Sequence, residues 1–309
     1  MIQVCAILVT FNRVKELQRA VQNVLRQTLP PVKLIIVDNG SHDATAQYLD
    51  YLQNRQDIHI ILMKENTGCA GALAAGMQYA ASLTGIQFIW VLDDDTEYPT
   101  NALATLIDKI HGTGYAMLGF SGAAIKRGKK RPLKNSQQLQ EADYVMMDGA
   151  IIAVPAFTTA GIVDSRFFMM AEDHEYCLRL KKYGFKLAVW QTGIENRLFL
   201  GGGGSFTRAS AWRGYYSARN HLLILKKYFS ITALCAYLLL QSKLLLAAAL
   251  LAPDRWQRTN LRLLGIWHGI RGKTGKTLDP ETLQFIKPSP ARNDYTPTLI
   301  MNEERFYEQ

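Results

Sequence analysis

Two short apolar runs near the start of the chain, Val4–Thr10 and Leu34–Val37, enclose a stretch, Lys15–Gln27, whose apolar residues recur at helical spacing. Near-continuous apolar runs of this length suit strands of a parallel sheet covered on both faces. Ile58–Met63 repeats the strand pattern, Gly71–Ser82 reads as an alanine-rich helix, and Phe88–Leu92 is a fourth strand running into Asp93. This alternation predicts an α/β fold, a doubly wound nucleotide-binding sheet with ligands beyond the carboxyl ends of its strands. The loops after the four strands are Phe11-Asn12-Arg13, Asp38-Asn39-Gly40-Ser41, Glu65 to Gly71 and Asp93-Asp94-Asp95, so all four are expected on one rim.

Further on the pattern loosens. Gly119 to Val154 is irregular and holds a basic loop; Ile162 to Lys186 carries Glu172-Asp173-His174-Glu175 and then a helix; Gly201 to Gly204 is a lid or a linker. Beyond about Lys226 the composition changes. Ile231–Ala252 is almost wholly apolar, interrupted at Gln241, Ser242 and Lys243, and a basic amphipathic stretch and a polar tail follow. The boundary is set accordingly, with one domain over 1–225 and a helical segment over 226–309. Roughly 20 apolar residues can span a bilayer. Lys243 inside such a span would cost about 2.5–3.5 kcal/mol at its centre. Basic residues lie on both flanks (Lys226 and Lys227; Arg255, Arg258 and Arg262), which leaves no positive-inside asymmetry. The expectation is an in-plane anchor on a membrane surface, or a helical pair docked on the domain or on a second subunit.

With 309 residues and 48% hydrophobic content the chain can bury a large core, and 20% charged residues exclude a mostly disordered chain. The net charge of +9 gathers in two clusters, Lys126, Arg127, Lys129, Lys130, Arg131 and Lys134, and Arg255, Arg258, Arg262, Arg271, Lys273 and Lys276. These are either solvated surfaces or sites of attraction to anionic lipid, at ~1 kcal/mol per basic residue. No nucleic-acid motif accompanies the charge, so no nucleic-acid partner is expected. Cys5, Cys69, Cys177 and Cys235 are too scattered for a metal motif and fit a reducing, cytoplasmic compartment. The first residues lack the basic region of a signal peptide.

Three adjacent carboxylates after an apolar strand, Asp93-Asp94-Asp95, repel one another unless a cation neutralises them. Oxygen ligands there suit Mg²⁺ or Mn²⁺ bridging a diphosphate, against the plainer reading of an acidic turn capping the next helix. Asn66-x-Gly68-x-x-Gly71 opens a helix after a strand, where backbone N–H groups can approach a phosphate; a plain loop with tight helix packing has equal claim. Its spacing is not that of the dinucleotide fingerprint, which weakens an oxidoreductase reading. Asp38 is either an acceptor for a nucleobase or ribose or part of an ordinary turn. Glu172-Asp173-x-Glu175 either complements a helix N-terminus or supplies a general base. His42, His59, His111, His174 and His268 read as surface residues rather than ligands.

The ordered set Val-Thr-Phe-Asn-Arg (9–13), Val-Asp-Asn-Gly-Ser (37–41), Asn-Thr-Gly-Cys-Ala-Gly-Ala (66–72), Trp-Val-Leu-Asp-Asp-Asp (90–95), Asp-Gly (148–149), Glu-Asp-His-Glu-Tyr (172–176) with Arg179, and Tyr-Tyr-Ser-Ala-Arg-Asn (215–220) resembles family-2 inverting glycosyltransferases. The resemblance covers about residues 3–225 and implies a GT-A fold with a doubly wound mixed sheet and a C-terminal helical appendage. It also implies a donor site built from Thr10, Asn12, Arg13, Asp38, Asn66, Gly68, Gly71, Asp93 and Asp94, with Asp93 and Asp95 on Mn²⁺ or Mg²⁺. Asp173 would be the base, and Asp148, Gly149, Glu172, Glu175, Tyr216 and Arg219 would face the acceptor. Within the family the triple aspartate and the Tyr-Tyr-x-x-Arg-Asn element look most like bacterial galactofuranosyltransferases, with rhamnosyltransferases the alternative; a nucleotide-sugar-binding protein without activity is the other rival. The implied partners are a nucleotide sugar, a glycan or polyprenol-linked acceptor, and the inner face of the cell membrane. Many relatives place a metal-binding His about a dozen residues after Gly184, where this chain reads Ile194-Glu195-Asn196-Arg197. Either fewer protein ligands hold the metal or Glu195 or Asn196 substitutes.

Overall fold

The computed structural model describes residues 2–133, 138–191 and 210–286, and the backbone of 196–197. The first half of the chain alternates as its apolar pattern requires: β1 (Val4–Thr10), α1 (Val14–Leu25), β2 (Lys33–Asp38), α2 (Thr45–Leu52), β3 (Ile58–Leu62), α3 (Gly68–Ser82) and β4 (Phe88–Asp93). These four strands are parallel in the order β3-β2-β1-β4, so β1 lies at the centre and its register brings Thr10 beside Asp38 and Val9 beside Asp93. α3 begins three residues earlier than its alanine-rich pattern suggests, because the Asn66 side chain accepts from the Gly68 N–H at 2.9 Å and starts the first turn there.

Past β4 come β5 (Thr96–Glu97), α4 (Ala102–Ile110), β6 (Tyr115–Gly119), β7 (Gly122–Lys126), β8 (Lys129–Pro132), β9 (Gln140–Ala142), β10 (Tyr144–Val145), β11 (Ile151–Ala153), α5 (Val154–Ala160), α6 (Glu172–Lys182), β12 (Lys186–Val189) and β13 (Asn196–Arg197). β11 inserts antiparallel between β4 and β6, and β12 and β9 complete a mixed eight-stranded sheet. Alternate side chains of the central strand serve two separate cores: Cys5 and Ile7 face α3, α5 and α6, while Val4, Ala6 and Leu8 face α1 and α4. The expected mixed α/β fold is thus present. The irregular stretch from Gly119 to Val154 resolves into a small second sheet, β10-β7-β8, standing over the rim.

The last three helices are α7 (Ala211–Lys227), α8 (Ile231–Leu251) and α9 (Arg255–Ile270). The boundary expected at 225/226 falls inside α7. That helix is bound into a third core with Phe168, Leu261 and Leu278, so the C-terminal helices pack as a continuation of the α/β unit. Gly265 and Gly269 allow the close approach of α9 to α7: a Cβ at Gly265 would meet the Tyr215 carbonyl oxygen at 2.3 Å. α8 is long and apolar enough to cross a membrane. It is not amphipathic, and the described residues bury it fully at Ala236, Tyr237, Gln241 and Ala248. Tyr237 Oη donates to the Ala218 carbonyl at 3.1 Å and Arg262 to Gln241 at 2.9 Å, holding α8 lengthwise on the domain. The Gly201–Gly204 run and the polar tail from 287 onward lie outside the described residues.

Candidate active site

The four strand-end loops do meet on one rim, stitched by short side chains. Asn12 accepts from the His42 N–H at 2.6 Å and its own N–H donates to Ser41 Oγ at 2.8 Å. Asp38, 5% exposed, accepts from the Ser41 N–H and hydroxyl, and burial pushes its carboxyl pKa up against those bonds. Asn39, absent from the expected site, is the centre of the seam. Its amide donates to Asn66 at 3.2 Å and to the Gly68 carbonyl at 3.1 Å, and its oxygen accepts from the Thr67 N–H and hydroxyl.

The three aspartates divide their duties. Asp94 is buried and turned inward, accepting from Thr10 Oγ1 and from Arg13 Nη1, both at 2.9 Å. Burial raises its pKa and the Arg13 charge opposes that rise. Thr10, Arg13 and Asp94 therefore form one internal brace. Asp93 and Asp95 flank it and are partly exposed. The loop is held from below by Asp148, whose carboxylate accepts from the Asp93 N–H (2.9 Å), Thr96 Oγ1 (2.8 Å) and Tyr98 Oη (2.6 Å). Gly149 is required because φ is +81° and a Cβ would sit 2.7 Å from the Tyr98 ring.

Asp173 stands at the first turn of α6. The Tyr144 hydroxyl donates to its Oδ2, the His174 N–H donates to Oδ1 at 2.7 Å, and the Lys130 ammonium lies 3.1 Å from the centre of the Tyr144 ring. Glu172 beside Asp173 is buried with one carboxyl oxygen unpaired, and desolvation, reinforced by the Asp173 charge, pushes its pKa up to about 8. The Cys69 thiol on α3 lies in the field of Asp93, Asp94, Glu172 and Asp173, and the Arg213 guanidinium on α7 in that of Asp95 and Glu172. Carboxylates of the strand-end loop and of α6 thus both lie within electrostatic reach of Cys69 and of Arg213.

Several expected contacts are corrected by this packing. Gly68 is closely packed on its Cβ side: a Cβ there would fall 2.1 Å from the Phe168 carbonyl oxygen, which already accepts from the Ala70 N–H at the start of α3. Gly71 accommodates the Thr67 side chain. Both are packing glycines. Asp148 and Gly149 lie beneath the aspartate loop. Glu175 is wholly buried and accepts from Arg179 (2.9 Å), Lys227 (2.7 Å) and Tyr228 (2.9 Å), which ties α6 to the end of α7. Tyr216 donates to the Leu278 carbonyl, and Arg219 donates to Gly275, Thr277 and Phe167, so both hold the C-terminal segment from inside. All three are thereby engaged with protein partners. His174 is not a surface residue: its ring lies between Tyr144 and His221, and burial pulls its pKa down to about 3. His59 stacks on Tyr79 at 3.7 Å and His268 bonds the Tyr215 hydroxyl at 2.6 Å. Glu195 and the side chain of Asn196 lie outside the described residues.

Among the described residues no three His, Cys, Asp or Glu side chains gather into a metal cage. Two carboxylates do fit the donor set of Mg²⁺ or Mn²⁺, which take one or two carboxylates and complete their shell with water and substrate phosphate.

A mixed sheet with this strand order and a carboxylate-lined rim defines a GT-A glycosyltransferase fold. The chain belongs to Glycosyl transferase family 2, whose pattern matches residues 5–172, more than half its length. The match stops one residue short of Asp173. Among curated relatives, a GalNAc(5)-diNAcBac-PP-undecaprenol β-1,3-glucosyltransferase of Campylobacter jejuni is 26% identical over 44% of this chain, and the alignment spans 45% of that relative's length. The galactofuranosyltransferase GlfT1 of Mycolicibacterium smegmatis is 25% identical over 61% of this chain and 68% of its own. The dTDP-rhamnosyl transferase RfbF of Shigella flexneri is 23% identical over 87% and 96%. Of solved structures, GalNAc-T7 with UDP, GalNAc and Mn²⁺ superposes with a TM-score of 0.60 at 14% identity, over 88% of this chain and 56% of the other. S. aureus TarS 1-349 gives 0.54 at 14% identity, over 87% and 81%.

Proposed function

We propose that the protein is an inverting glycosyltransferase that moves a sugar from a nucleoside diphosphate donor onto a lipid-linked or oligosaccharide acceptor in bacterial surface-glycan synthesis, working at the cytoplasmic face of the membrane. The observation that supports the reading is the placement of Asp93 and Asp95 at the end of β4 and of Asp173 in the first turn of α6, with carboxylates of both elements within electrostatic reach of Cys69 and Arg213. Asp173, oriented by Tyr144 and the His174 N–H, takes the proton of the acceptor hydroxyl. The acceptor oxygen bonds to the anomeric carbon as the carbon–oxygen bond to the diphosphate breaks, inverting that centre. Asp93 and Asp95 would hold a divalent cation, Mn²⁺ or Mg²⁺, whose chemistry is to neutralise the departing diphosphate. Arg213 and Arg13 add fixed positive charge on the same side, and the rim of Asn12, Asp38 and Asn66 frames the nucleoside. A positioned base contributes about 10²–10⁴-fold to rate.

Galactofuranose from UDP-galactofuranose is the favoured donor, supported by the triple aspartate and the GlfT1 likeness. Rhamnose from its dTDP sugar is the second, supported by the near full-length RfbF match. A panel of sugar nucleotides tested for transfer and for thermal stabilisation, with and without Mn²⁺, decides between them. Stabilisation by none of the panel would remove the donor reading altogether.

A further inference from the structure

The β7–β8 hairpin has one side on the proposed base and the other on the apolar helix. Its turn residues, Arg127 and Gly128, both have positive φ (50° and 73°) between the paired Lys126 and Lys129, the mirror-image turn that keeps two twisted strands together. Gly128 lies so close to α8 that a Cβ would fall 2.5 Å from Ala233 Cα. Successive strand residues point to opposite faces. Lys130 accordingly lies over the ring of Tyr144, whose hydroxyl donates to Asp173, while Lys129 faces α8.

Between turn and helix runs an open groove of about 220 Å³ lined by Arg127, Lys129, Ile231, Cys235, Ala236 and Leu239. One wall is hydrocarbon and the rim carries two cations. Neither Arg127 nor Lys129 has an acidic partner among the described residues. The groove opens onto the uncovered side of α8, where Ile231 is 63% and Leu239 62% exposed. A helix that is apolar all round belongs in apolar surroundings on every side, and the protein supplies them on only one.

We propose that this groove seats the lipid phosphate of the acceptor: the phosphate between Arg127 and Lys129, the adjoining hydrocarbon along Ile231, Ala236 and Leu239, and the attached sugar led past Lys130 to Asp173. The proposal rests on the glycosyl-transfer reading above and specifies its acceptor. Charge complementarity selects the occupant, since a neutral chain leaves both cations unused and a free phosphate leaves the apolar wall unused. The groove is smaller than a drug-sized pocket, so it holds the phosphate-proximal end of a chain only. The rest runs out along exposed α8.

Cys235 lines the groove and is exposed, whereas Cys5 and Cys177 are buried, so its alkylation by a maleimide, followed on its own peptide by mass spectrometry, reports occupancy. The full chain is tested with UDP and Mn²⁺ present, to keep the probe out of the donor pocket. Farnesyl phosphate should slow Cys235 alkylation, while farnesol and inorganic phosphate at equal concentration should not. In the double variant Arg127→Gln/Lys129→Gln the half-protecting concentration should rise at least about tenfold, as expected for two lost cation–phosphate contacts. Both side chains are exposed, so the fold is not at stake. Unchanged protection in the variant, or equal protection by farnesol, overturns the proposal. So does equal protection by phosphatidylglycerol vesicles matched in phosphate, which would make the groove a general membrane contact. UDP binding is measured by calorimetry on the same samples: a protein that binds UDP but gains no protection refutes the groove alone, and one that fails to bind UDP refutes the donor reading.

Discussion

Glu175→Gln separates a residue that holds the site in place from one that touches the acceptor, the role its motif implied. The substitution keeps the side-chain shape and deletes one charge. In the native protein the wholly buried Glu175 carboxylate accepts from Arg179, Lys227 and Tyr228. The Lys227 side chain is 43% exposed and solvent screens its share. The Arg179 side chain is 13% exposed, so its guanidinium would lose its only carboxylate partner among the described residues in a dry environment, although the Ala160 and Ile162 carbonyls still accept from it. Removing one member of a buried pair typically costs about 3–5 kcal/mol, and the retained amide oxygen can still accept one bond, so about 3 kcal/mol is expected here. In thermal unfolding this corresponds to a fall in Tm of roughly 5–10 °C. Well below that Tm, the acceptor KM should stay within about twofold of wild type, because no acceptor contact is lost. Unchanged stability with a large rise in acceptor KM would refute the structural role and restore the acceptor contact.

Asp95→Ala should abolish Mn²⁺-dependent stabilisation by UDP and with it transfer, and equal wild-type turnover in excess EDTA would contradict the cation assignment. Arg213→Gln should weaken UDP binding by about tenfold, the worth of one charge-assisted hydrogen bond, read by calorimetry; unaltered affinity would remove Arg213 from the donor site. Glu172→Gln should change stability in a pH-dependent way. A carboxyl whose pKa is raised to about 8 in the folded protein keeps its proton there when the unfolded chain has released it, so native stability falls as pH rises from the ordinary glutamate range to about 8. The amide removes that penalty, so in metal-free protein the gain in Tm should be small at pH 5 and largest above pH 8; a pH-independent difference would show that Glu172 does not carry the shift.

The parallel half of the fold was legible because each strand is a continuous apolar run and each connection an independent helical pattern. The strand ends then had to share a rim, and Asn12, Ser41, Asn66 and Asp94 do interlock there. The small β10-β7-β8 sheet was not legible. Its strands are short, Lys129–Pro132 is exposed throughout, and its residues read as a basic loop. Tyr144 and Lys130 were missed for that reason, since only the folded small sheet brings Tyr144 to Asp173 and Lys130 over the Tyr144 ring. Arg213 was passed over because nothing in Ala-Trp-Arg-Gly marks a guanidinium as facing carboxylates that lie far away in sequence. The opposite error befell Glu175, Tyr216 and Arg219. Sequence shows that such residues form a motif, but burial decides whether they touch a substrate or hold the elements that do. α8 presented a related ambiguity. Its apolar run admits a spanning as well as a surface helix, and although Lys243 and the symmetric basic flanks favour the surface, it is Tyr237 and Gln241 that show it lying lengthwise on the domain.

The central claim is that Asp173 acts on the acceptor while the donor is held elsewhere, and Asp173→Asn tests it most directly. Asparagine keeps the size, and its one amide oxygen can still accept the His174 N–H while its NH2 faces the Tyr144 hydroxyl oxygen, but it cannot take a proton at neutral pH. Transfer and donor affinity are measured on the same folded preparation, the first by product formation with a lipid-linked acceptor, the second by calorimetry with UDP and Mn²⁺. The account predicts that transfer falls at least ~10²-fold while the donor Kd moves by less than about threefold. Transfer that survives would put the base elsewhere, with Glu172 the nearest carboxylate; joint collapse of transfer and donor affinity would place Asp173 in the donor or cation site and contradict the mechanism.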